Sequence, residues 1–303
     1  MRASATITSP FKGFLYSAQP HSDRCIIVLL GDDGDDFMSQ ACAKWLTRGQ
    51  HCDALCLALR RSKQEDSGIH SWPLEQIAAA VRWLEDRGVS KIGLMGMSMQ
   101  GAMALSAAAR IPSITLTIAL TPCDFVPWGF VHGKKGEEFP TGGSAFSWQG
   151  ADLPFQPAML EGDAYWQLFQ SASKEFHEMH SRSVFDYSET HHPISPECLI
   201  PVEQIRGRLV LVGAEDDSMW DAPKYIRRMA ELLRDRVPAP TLDTFVYPFG
   251  THLLVPQRML DLSLPLVGGL VSRMFSSGRK HPRDCRASRL DLEEKLTAVF
   301  EHW

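Results

Sequence analysis

Ser98 lies in a stretch whose residue types suit a nucleophilic serine. The segment from Lys91 to Ala102 reads KIGLMGMSMQGA, so a short apolar strand runs into Gly96, then Ser98, then an Ala-rich helix. A serine hydroxyl attacks poorly unless a tight turn lifts it clear of the sheet, holds it near a base and sets it at a helix N-terminus. The order of strand, turn and helix predicts such a nucleophile elbow at Ser98.

Gln100 departs from the usual elbow pattern G-x-S-x-G. The glycine expected two residues after the serine falls one residue later, at Gly101. Because the elbow backbone is strained and packs closely on its neighbours, a glutamine there requires extra room. The alternative is a serine that begins an ordinary helix after an ordinary strand.

A carboxylate and a histidine follow the serine in the order that this chemistry requires. The run RLVLVGAEDDSMW places Asp216 directly after an apolar strand, and FVYPFGTH places His252 just beyond the next strand. His252 would take the proton from Ser98, and the carboxylate would fix the imidazole tautomer. We assign the carboxylate to Asp216. Asp217 is the near alternative, Asp124 a distant one, and a solvated acidic turn the structural alternative.

An oxyanion hole needs two backbone N–H groups. The elbow predicts one at Met99, and the loop LLGDDGDD after the first parallel strand predicts the other at Asp33. Four aspartates beside an anion site are unfavourable unless their side chains point away. The same loop also suits a turn whose aspartates cap the following helix, and both interpretations can hold together.

No metal site or cofactor is predicted. Cys52 and Cys56 lie in an apolar run, where small buried thiols are common, and the seven cysteines show no CxxC spacing. Histidines also cluster between the predicted strands, and we interpret them as surface residues because a Ser-Asp-His site needs no metal. These histidines are His177, His180, His191 and His192.

Short apolar runs alternate with segments of helical periodicity, which predicts a mostly parallel α/β sheet flanked by helices. The predicted strands are Cys25 to Leu30, Cys52 to Ala58, Lys91 to Met95, Ile114 to Leu120, Leu209 to Val212 and Leu242 to Tyr247. The predicted helices are Asp36 to Arg48, Leu74 to Arg87, Met99 to Ala109, Ala222 to Arg234 and a C-terminal helix within Arg286 to Trp303. The residues around Gly13 predict antiparallel edge structure before the sheet.

The alternation breaks between residues 121 and 201. This stretch carries Trp128, Trp148 and Trp166 with many glycines and prolines. We interpret it as an insertion, a lid or binding loop, within one domain that covers residues 1–303. An ordinary surface excursion is the alternative.

Composition limits the partners. Of the 303 residues, 44% are hydrophobic and 22% charged, as in a globular domain, and the net charge of −5 offers no field for nucleic acid. No secretory signal or apolar run of about 18 residues is present, so we expect a soluble cytoplasmic protein that does not engage a membrane. A homo-oligomer stays open, because apolar helix faces serve cores and interfaces alike.

These motifs together resemble the C-terminal catalytic domain shared by acyl-CoA thioesterases and bile acid-CoA:amino acid N-acyltransferases, which has the α/β-hydrolase fold. The resemblance spans most of the chain and includes GLMGMS at the elbow, LTPCDF, VEQI, GAEDDSMW and YPFGTH. It implies acyl transfer through an acyl-enzyme. The serine resembles the hydrolase branch, since the amidating enzymes carry cysteine at this position. Only residues 1–24 precede the sheet here, whereas larger members carry an additional β-sandwich domain.

The leading hypothesis is therefore a serine hydrolase that acts on a small-molecule acyl ester or acyl-CoA thioester. Three alternatives stay open: a small-ester carboxylesterase similar to dienelactone hydrolase, an acyltransferase, and a non-catalytic binding module on the same fold. The distance between Ser98 and His252 discriminates the binding module from the enzymes.

Overall fold

The computed structural model describes residues 3–20, 22–59, 68–135, 137–160, 162–263 and 271–303. An eight-stranded sheet forms the centre of this part of the chain. Its strands, in spatial order, are β1 (Ala5–Ile7), β2 (Gly13–Tyr16), β4 (Asp53–Leu57), β3 (Arg24–Leu29), β7 (Lys91–Met97), β8 (Ile114–Leu120), β13 (Arg208–Ala214) and β14 (Thr241–Tyr247). The β1–β2 and β2–β4 pairs are antiparallel and the other pairs are parallel, which confirms the predicted edge structure.

Helices cover both faces of this sheet. They are α1 (Phe37–Gly49), α2 (Glu75–Glu85), α3 (Met99–Ala108), α6 (Ala222–Leu233), α7 (Gln257–Ser263), α8 (Ser276–Lys280) and α9 (Pro282–Glu301). Along β3, Ile27 and Leu29 join the core on the α2, α3 and α6 side, while Ile26 and Val28 join the core on the α1, α7 and α9 side. Burial on both faces explains why the parallel strands consist of continuous apolar runs.

This arrangement is the predicted α/β-hydrolase fold. The predicted parallel strands and their helices are all present, with ends that differ from the predicted ones by a few residues. The largest difference is at the last helix, which begins at Pro282, where proline suits the first helical position.

The chain leaves the main sheet after β8 and returns at β13. Between them lie β9 (Trp128–His132), β10 (Glu138–Ser144), β11 (Phe146–Trp148), β12 (Ala151–Asp152), α4 (Gly162–Phe176) and α5 (Arg182–His191). Two further short strands, β5 (Gly68–Ile69) and β6 (Trp72–Pro73), come from before α2 and complete two three-stranded sheets with β9 to β12. Such short strands have no detectable period, and the sequence did not predict them.

None of the helices in the described ranges is both long enough and apolar enough to span a lipid bilayer.

Candidate active site

Ser98 occupies the turn between β7 and α3, as the sequence predicts. Its backbone has φ 60° and ψ −129°, a left-handed conformation that non-glycine residues rarely adopt. Two backbone hydrogen bonds hold it: the Ser98 N–H donates to Leu120 O at 2.8 Å, and the Gly101 N–H donates to Ser98 O at 2.9 Å. Strain of this kind persists only where the surroundings enforce it, and it is typical of a nucleophile elbow.

Glycine is needed at position 96, two residues before the serine. A Cβ added to Gly96 would lie 2.1 Å from the backbone oxygen of Gln100, whereas one added to Gly101 would lie 3.3 Å from its nearest neighbour, Leu120 O. The turn therefore brings the backbone of residue 100 against Gly96. The side chain of Gln100 faces the cavity beside Ser98, which is how the fold accommodates a residue larger than glycine.

Ser98 and His252 are in hydrogen-bond contact. The distance from Ser98 Oγ to His252 Nε2 is 2.8 Å, and His252 is only 7% exposed. Because the other ring nitrogen of His252 faces a carboxylate, Nδ1 carries the proton and Nε2 accepts from the serine hydroxyl. A neutral imidazole in this orientation can remove the proton from Ser98.

The carboxylate that contacts His252 belongs to Asp217, the near alternative, and not to Asp216, to which we assigned it. Asp217 Oδ1 and Oδ2 lie 3.0 and 2.9 Å from His252 Nδ1, and the Asp217 side chain is fully buried. Asp216 is exposed and accepts a hydrogen bond from Ser277 Oγ at 2.8 Å instead. The turn that closes with Asp217 N–H on Ala214 O, at 3.1 Å, determines which of the two carboxylates reaches the histidine.

Asp124, the distant alternative, has a different partner. It is buried and forms a two-pronged ion pair with the guanidinium of Arg228. Burial raises the pKa of Asp124, and Arg228 partly opposes that shift. The buried Asp124 is therefore paired with Arg228, which lies on α6. Arg228 Nη1 also donates to the carboxylate of Glu189, at 3.1 Å.

The loop that carries Asp217 is fastened to the inserted segment. Arg182, at the start of α5, donates from Nη1 to the backbone oxygens of Glu215 and Asp217 at 3.0 and 3.2 Å, and its Nη2 pairs with Asp221 at 2.6 Å. The backbone N–H of Arg182 also donates to Ser218 O at 2.9 Å. Through Arg182 at the start of α5, therefore, the inserted segment is part of the scaffold that positions the Asp217 carboxylate.

Thr121 and Trp220 position His252. Thr121 Oγ1 donates to the backbone oxygen of His252 at 3.1 Å, and Trp220 Nε1 donates to Thr121 O at 3.0 Å. The edge of the Trp220 ring meets the His252 ring at a centroid distance of 5.0 Å and an angle of 89°. Thr121 has φ 43°, which is an outlier for a β-branched residue and, like Ser98, marks a strained position beside the site.

Met99 begins α3, so its N–H has no acceptor within the helix, and the residue lines the cavity beside Ser98. In the loop after β3, Asp32 and not the predicted Asp33 lines the cavity. The shape of the loop determines which of these aspartates lines the cavity. Gly31 has φ 72° and leaves room for the carboxylate of Asp36, which caps α1 by accepting from two backbone N–H groups at 3.0 Å. The capping interpretation of this loop is confirmed for Asp36.

A cavity of about 220 Å³ opens onto Ser98. The elbow and the Asp32 loop form its floor, the inserted segment forms most of its walls, and Met219 and Trp220 complete it. The insertion contributes aromatic side chains and also polar ones, among them His132, Glu138 and Tyr165. Local sequence patterns do not predict these positions, because strand pairing and helix packing bring the residues together from separate segments.

The clustered histidines have local contacts. His180 is buried against Phe176 with a ring distance of 3.9 Å and accepts the Ser183 N–H through Nε2 at 3.2 Å, which makes the prediction of a surface residue wrong at this position. His177, His191 and His192 are exposed as predicted. Within the described residues, no group of three or more His, Cys, Asp or Glu side chains is arranged to hold a metal.

All seven cysteines are buried and unpaired by disulfides. Burial raises the pKa of Cys52 to about 11 and that of Cys56 well above its usual value. Both are therefore neutral thiols near neutral pH, in line with the core role predicted for them.

Several solved structures are similar to this chain at low sequence identity. An esterase from Pyrococcus furiosus shares 11% identity at a TM-score of 0.49, with 100% of this chain and 98% of that chain covered. Est1E from Butyrivibrio proteoclasticus shares 14% identity at a TM-score of 0.45, with 94% of this chain and 99% of that chain covered. A 2,6-dihydroxy-pseudo-oxynicotine hydrolase shares 14% identity at a TM-score of 0.49, with 99% of this chain and 68% of that chain covered. Likeness at this level has no bearing on activity.

No curated protein matches the chain. The family model for the BAAT / acyl-CoA thioester hydrolase C-terminal domain matches residues 73–258, which is more than half of the chain and includes Ser98, Asp217 and His252. Family and fold together indicate a hydrolase of the esterase or thioesterase type. The chain therefore belongs to the BAAT / acyl-CoA thioester hydrolase C-terminal family.

Proposed function

We propose that this protein is a serine hydrolase that cleaves an acyl ester or acyl thioester through an acyl-enzyme on Ser98. The observation that carries the proposal is the continuous hydrogen-bonded chain from Ser98 through His252 to Asp217, with links of 2.8 and 2.9 Å. It starts at a strained elbow and ends at a buried carboxylate, which is the arrangement that activates a serine.

In the first half of the reaction, Ser98 Oγ attacks the acyl carbonyl while its proton moves to His252 Nε2. Asp217 stabilises the imidazolium that forms and keeps the ring in the correct orientation. The Met99 N–H, together with backbone of the turn at Asp32, would hold the oxyanion of the tetrahedral intermediate. His252 then gives the proton to the departing alcohol or thiol, and the acyl group stays on Ser98.

In the second half, His252 removes a proton from water as the water oxygen attacks the acyl-serine. The intermediate then collapses, His252 returns the proton to Ser98 Oγ, and the acid is released. Water is the acceptor in our proposal because the nucleophile is a serine. The 2.8 Å contact between Ser98 and His252 also argues against the alternative of a non-catalytic binding module, which has no need to keep these two groups in contact.

The test compares acyl-CoA thioesters and simple aryl esters as substrates of the purified protein. We expect hydrolysis of at least one class, and a loss of about 10⁴-fold or more in kcat for Ser98→Ala. Ser113→Ala, at an exposed serine beyond α3, is the matched control and should retain full activity. Absence of hydrolysis of both classes by folded wild-type protein, or undiminished hydrolysis by Ser98→Ala, would overturn the proposal.

A further inference from the structure

The polar side chains that the insertion brings to the cavity beside Ser98 include His132, Glu138 and Tyr165. His132 ends β9, Glu138 begins β10, and the two residues are directly opposite each other in the antiparallel pair. Tyr165 comes from α4 and lines the same cavity. None of the three takes part in the hydrogen bonds that join Ser98, His252 and Asp217, so the proposed hydrolysis does not account for them.

Glu138 is half-buried where it lines the cavity. Burial raises the pKa of its carboxyl above the usual value, and nearby His132 only partly opposes this shift. A buried carboxylate is stable only when other groups supply hydrogen bonds or positive charge. Among the described residues, the Glu138 side chain has no hydrogen bond or ion pair, so its carboxylate lacks a donor.

Two further polar atoms in this cluster lack partners. His132 Nδ1 is buried and makes no hydrogen bond. Tyr165 is only 6% exposed, and its hydroxyl has no hydrogen-bond partner among the described residues. Polar groups withdrawn from bulk water are nearly always paired, so the unpaired Glu138 carboxylate and Tyr165 hydroxyl of residues that line a cavity indicate a ligand or ordered water.

The charge of the cavity restricts what that ligand is. Two acidic residues, Asp32 and Glu138, line it, whereas no lysine or arginine is among the described lining residues. A carboxylate or phosphate on the substrate would be repelled by an ionised Glu138. A hydrocarbon group would fill the space and leave the polar atoms of Glu138, His132 and Tyr165 without partners.

We propose that this cavity binds a substrate group that ends in a hydrogen-bond donor, a hydroxyl or an ammonium, and that Glu138 and Tyr165 select it. Glu138 accepts from the donor, and the Tyr165 hydroxyl supplies the second contact. The inference rests on the proposed function, because it identifies the substrate class of the same site. A site built to pair with a polar substrate group discriminates strongly against an analogue that lacks it.

The first experiment measures kcat/KM for a matched set of esters and thioesters. In one arm the acyl group is hexanoyl, either unsubstituted or with a hydroxy, amino or carboxy group at its far end. In the other arm the same four ends are placed on the leaving group. We expect the hydroxy or amino compound to exceed the plain one by at least about tenfold in one arm, and the carboxy compound to be the poorest. The arm that responds identifies which half of the substrate occupies the cavity. Equal or better turnover of the plain compound in both arms would overturn the proposal.

The variants Glu138→Gln and Tyr165→Phe assign the selection to these residues. Each keeps the size of the side chain and should reduce the preference for the donor-bearing substrate by about tenfold. The matched controls are Glu197→Gln and Tyr187→Phe, both at exposed positions, and should keep the wild-type preference. A preference unchanged in Glu138→Gln and Tyr165→Phe would contradict the assignment, and thermal unfolding checks that the variants are folded.

A binding measurement separates this inference from the proposed function. The Ser98→Ala protein is titrated calorimetrically with the N-methylamides of the four acids, which are not cleaved, and with the four matching alcohols. Tighter binding of the hydroxy or amino compound supports the cavity proposal even if no substrate is hydrolysed. Binding that favours the plain or carboxy compound contradicts it even if hydrolysis through Ser98 is established.

Discussion

Asp216 and Asp217 are adjacent in the chain, but their carboxylates have different partners: Asp217 contacts His252 Nδ1, and Asp216 contacts Ser277 Oγ. Only Asp217 can orient the imidazole and stabilise its protonated form. The pair therefore offers an internal comparison between two equal side chains in one loop.

The first prediction uses this pair. In Asp217→Asn the negative charge is lost and the histidine tautomer is no longer fixed, so we expect kcat to fall by about 10³- to 10⁴-fold. In Asp216→Asn the amide oxygen can still accept from Ser277, so kcat should stay within about threefold, since an exposed interaction contributes less than ~1 kcal/mol. Steady-state kinetics on both variants, with thermal unfolding as the folding control, decides between the two carboxylates. A larger loss in Asp216→Asn would refute the assignment.

The elbow gives a second prediction. Gly96→Ala places a Cβ where Gln100 O would be only 2.1 Å away, so the turn must shift, and we expect a loss of about 3 kcal/mol in unfolding free energy together with most of the activity. Gly101→Ala is the matched control. Its nearest contact is 3.3 Å and alanine favours the helix, so the change should stay within about 1 kcal/mol. Urea unfolding and initial rates measure both, and equal effects in the two variants would contradict this picture of the elbow.

The third prediction concerns Arg182, which fastens the Asp217 loop to the insertion. In Arg182→Gln the hydrogen bonds to Glu215 O and Asp217 O and the ion pair with Asp221 are lost. We expect kcat to fall about tenfold with little change in KM, and stability to fall by about 1–3 kcal/mol.

Arg227→Gln is the control for Arg182→Gln. Arg227 pairs with the side chain of Glu215 at an exposed position, 60% and 44% accessible, and should be nearly neutral. If KM changes in Arg182→Gln while kcat does not, the residue binds substrate and does not position the loop.

The fourth prediction is an acid-dependent loss of stability through His180. Burial lowers the pKa of His180 below its usual value of 6.5, with the Glu178 carboxylate partly opposing the shift. The unfolded chain therefore binds a proton at His180 more readily than the folded one, so stability present above pH ~6.5 is lost as the pH falls toward the lowered pKa. His180→Asn should unfold with a weaker pH dependence between pH ~7.5 and ~5, measured by urea titration at each pH. An unchanged dependence would exclude His180 as a contributor.

The sequence predicted the parts of this protein that local patterns determine. Apolar runs set the parallel strands, and the order strand, turn, helix placed Ser98; the position after the last strand placed His252. The choice between Asp216 and Asp217 could not be predicted, because it depends on the direction in which a three-residue acidic turn closes. Nor could the sequence predict that Asp32, and not Asp33, lines the cavity.

The polar cavity could not be predicted from the sequence for a different reason. His132, Glu138 and Tyr165 are brought together by a strand pair and by the packing of α4, and the insertion that carries them contains no regular period. The predicted surface position of His180 failed in the same way, since tertiary packing against Phe176 buries it.

The central claim is that Ser98 is the nucleophile, and covalent labelling tests it most directly. Native protein is treated with a fluorophosphonate probe, digested and analysed by mass spectrometry. We predict one adduct on the peptide that carries Ser98, absent after unfolding in urea and in Ser98→Ala, and formed much more slowly in Asp217→Asn. If the folded wild-type protein is not labelled at Ser98 under conditions that label a reference serine hydrolase, the account is contradicted.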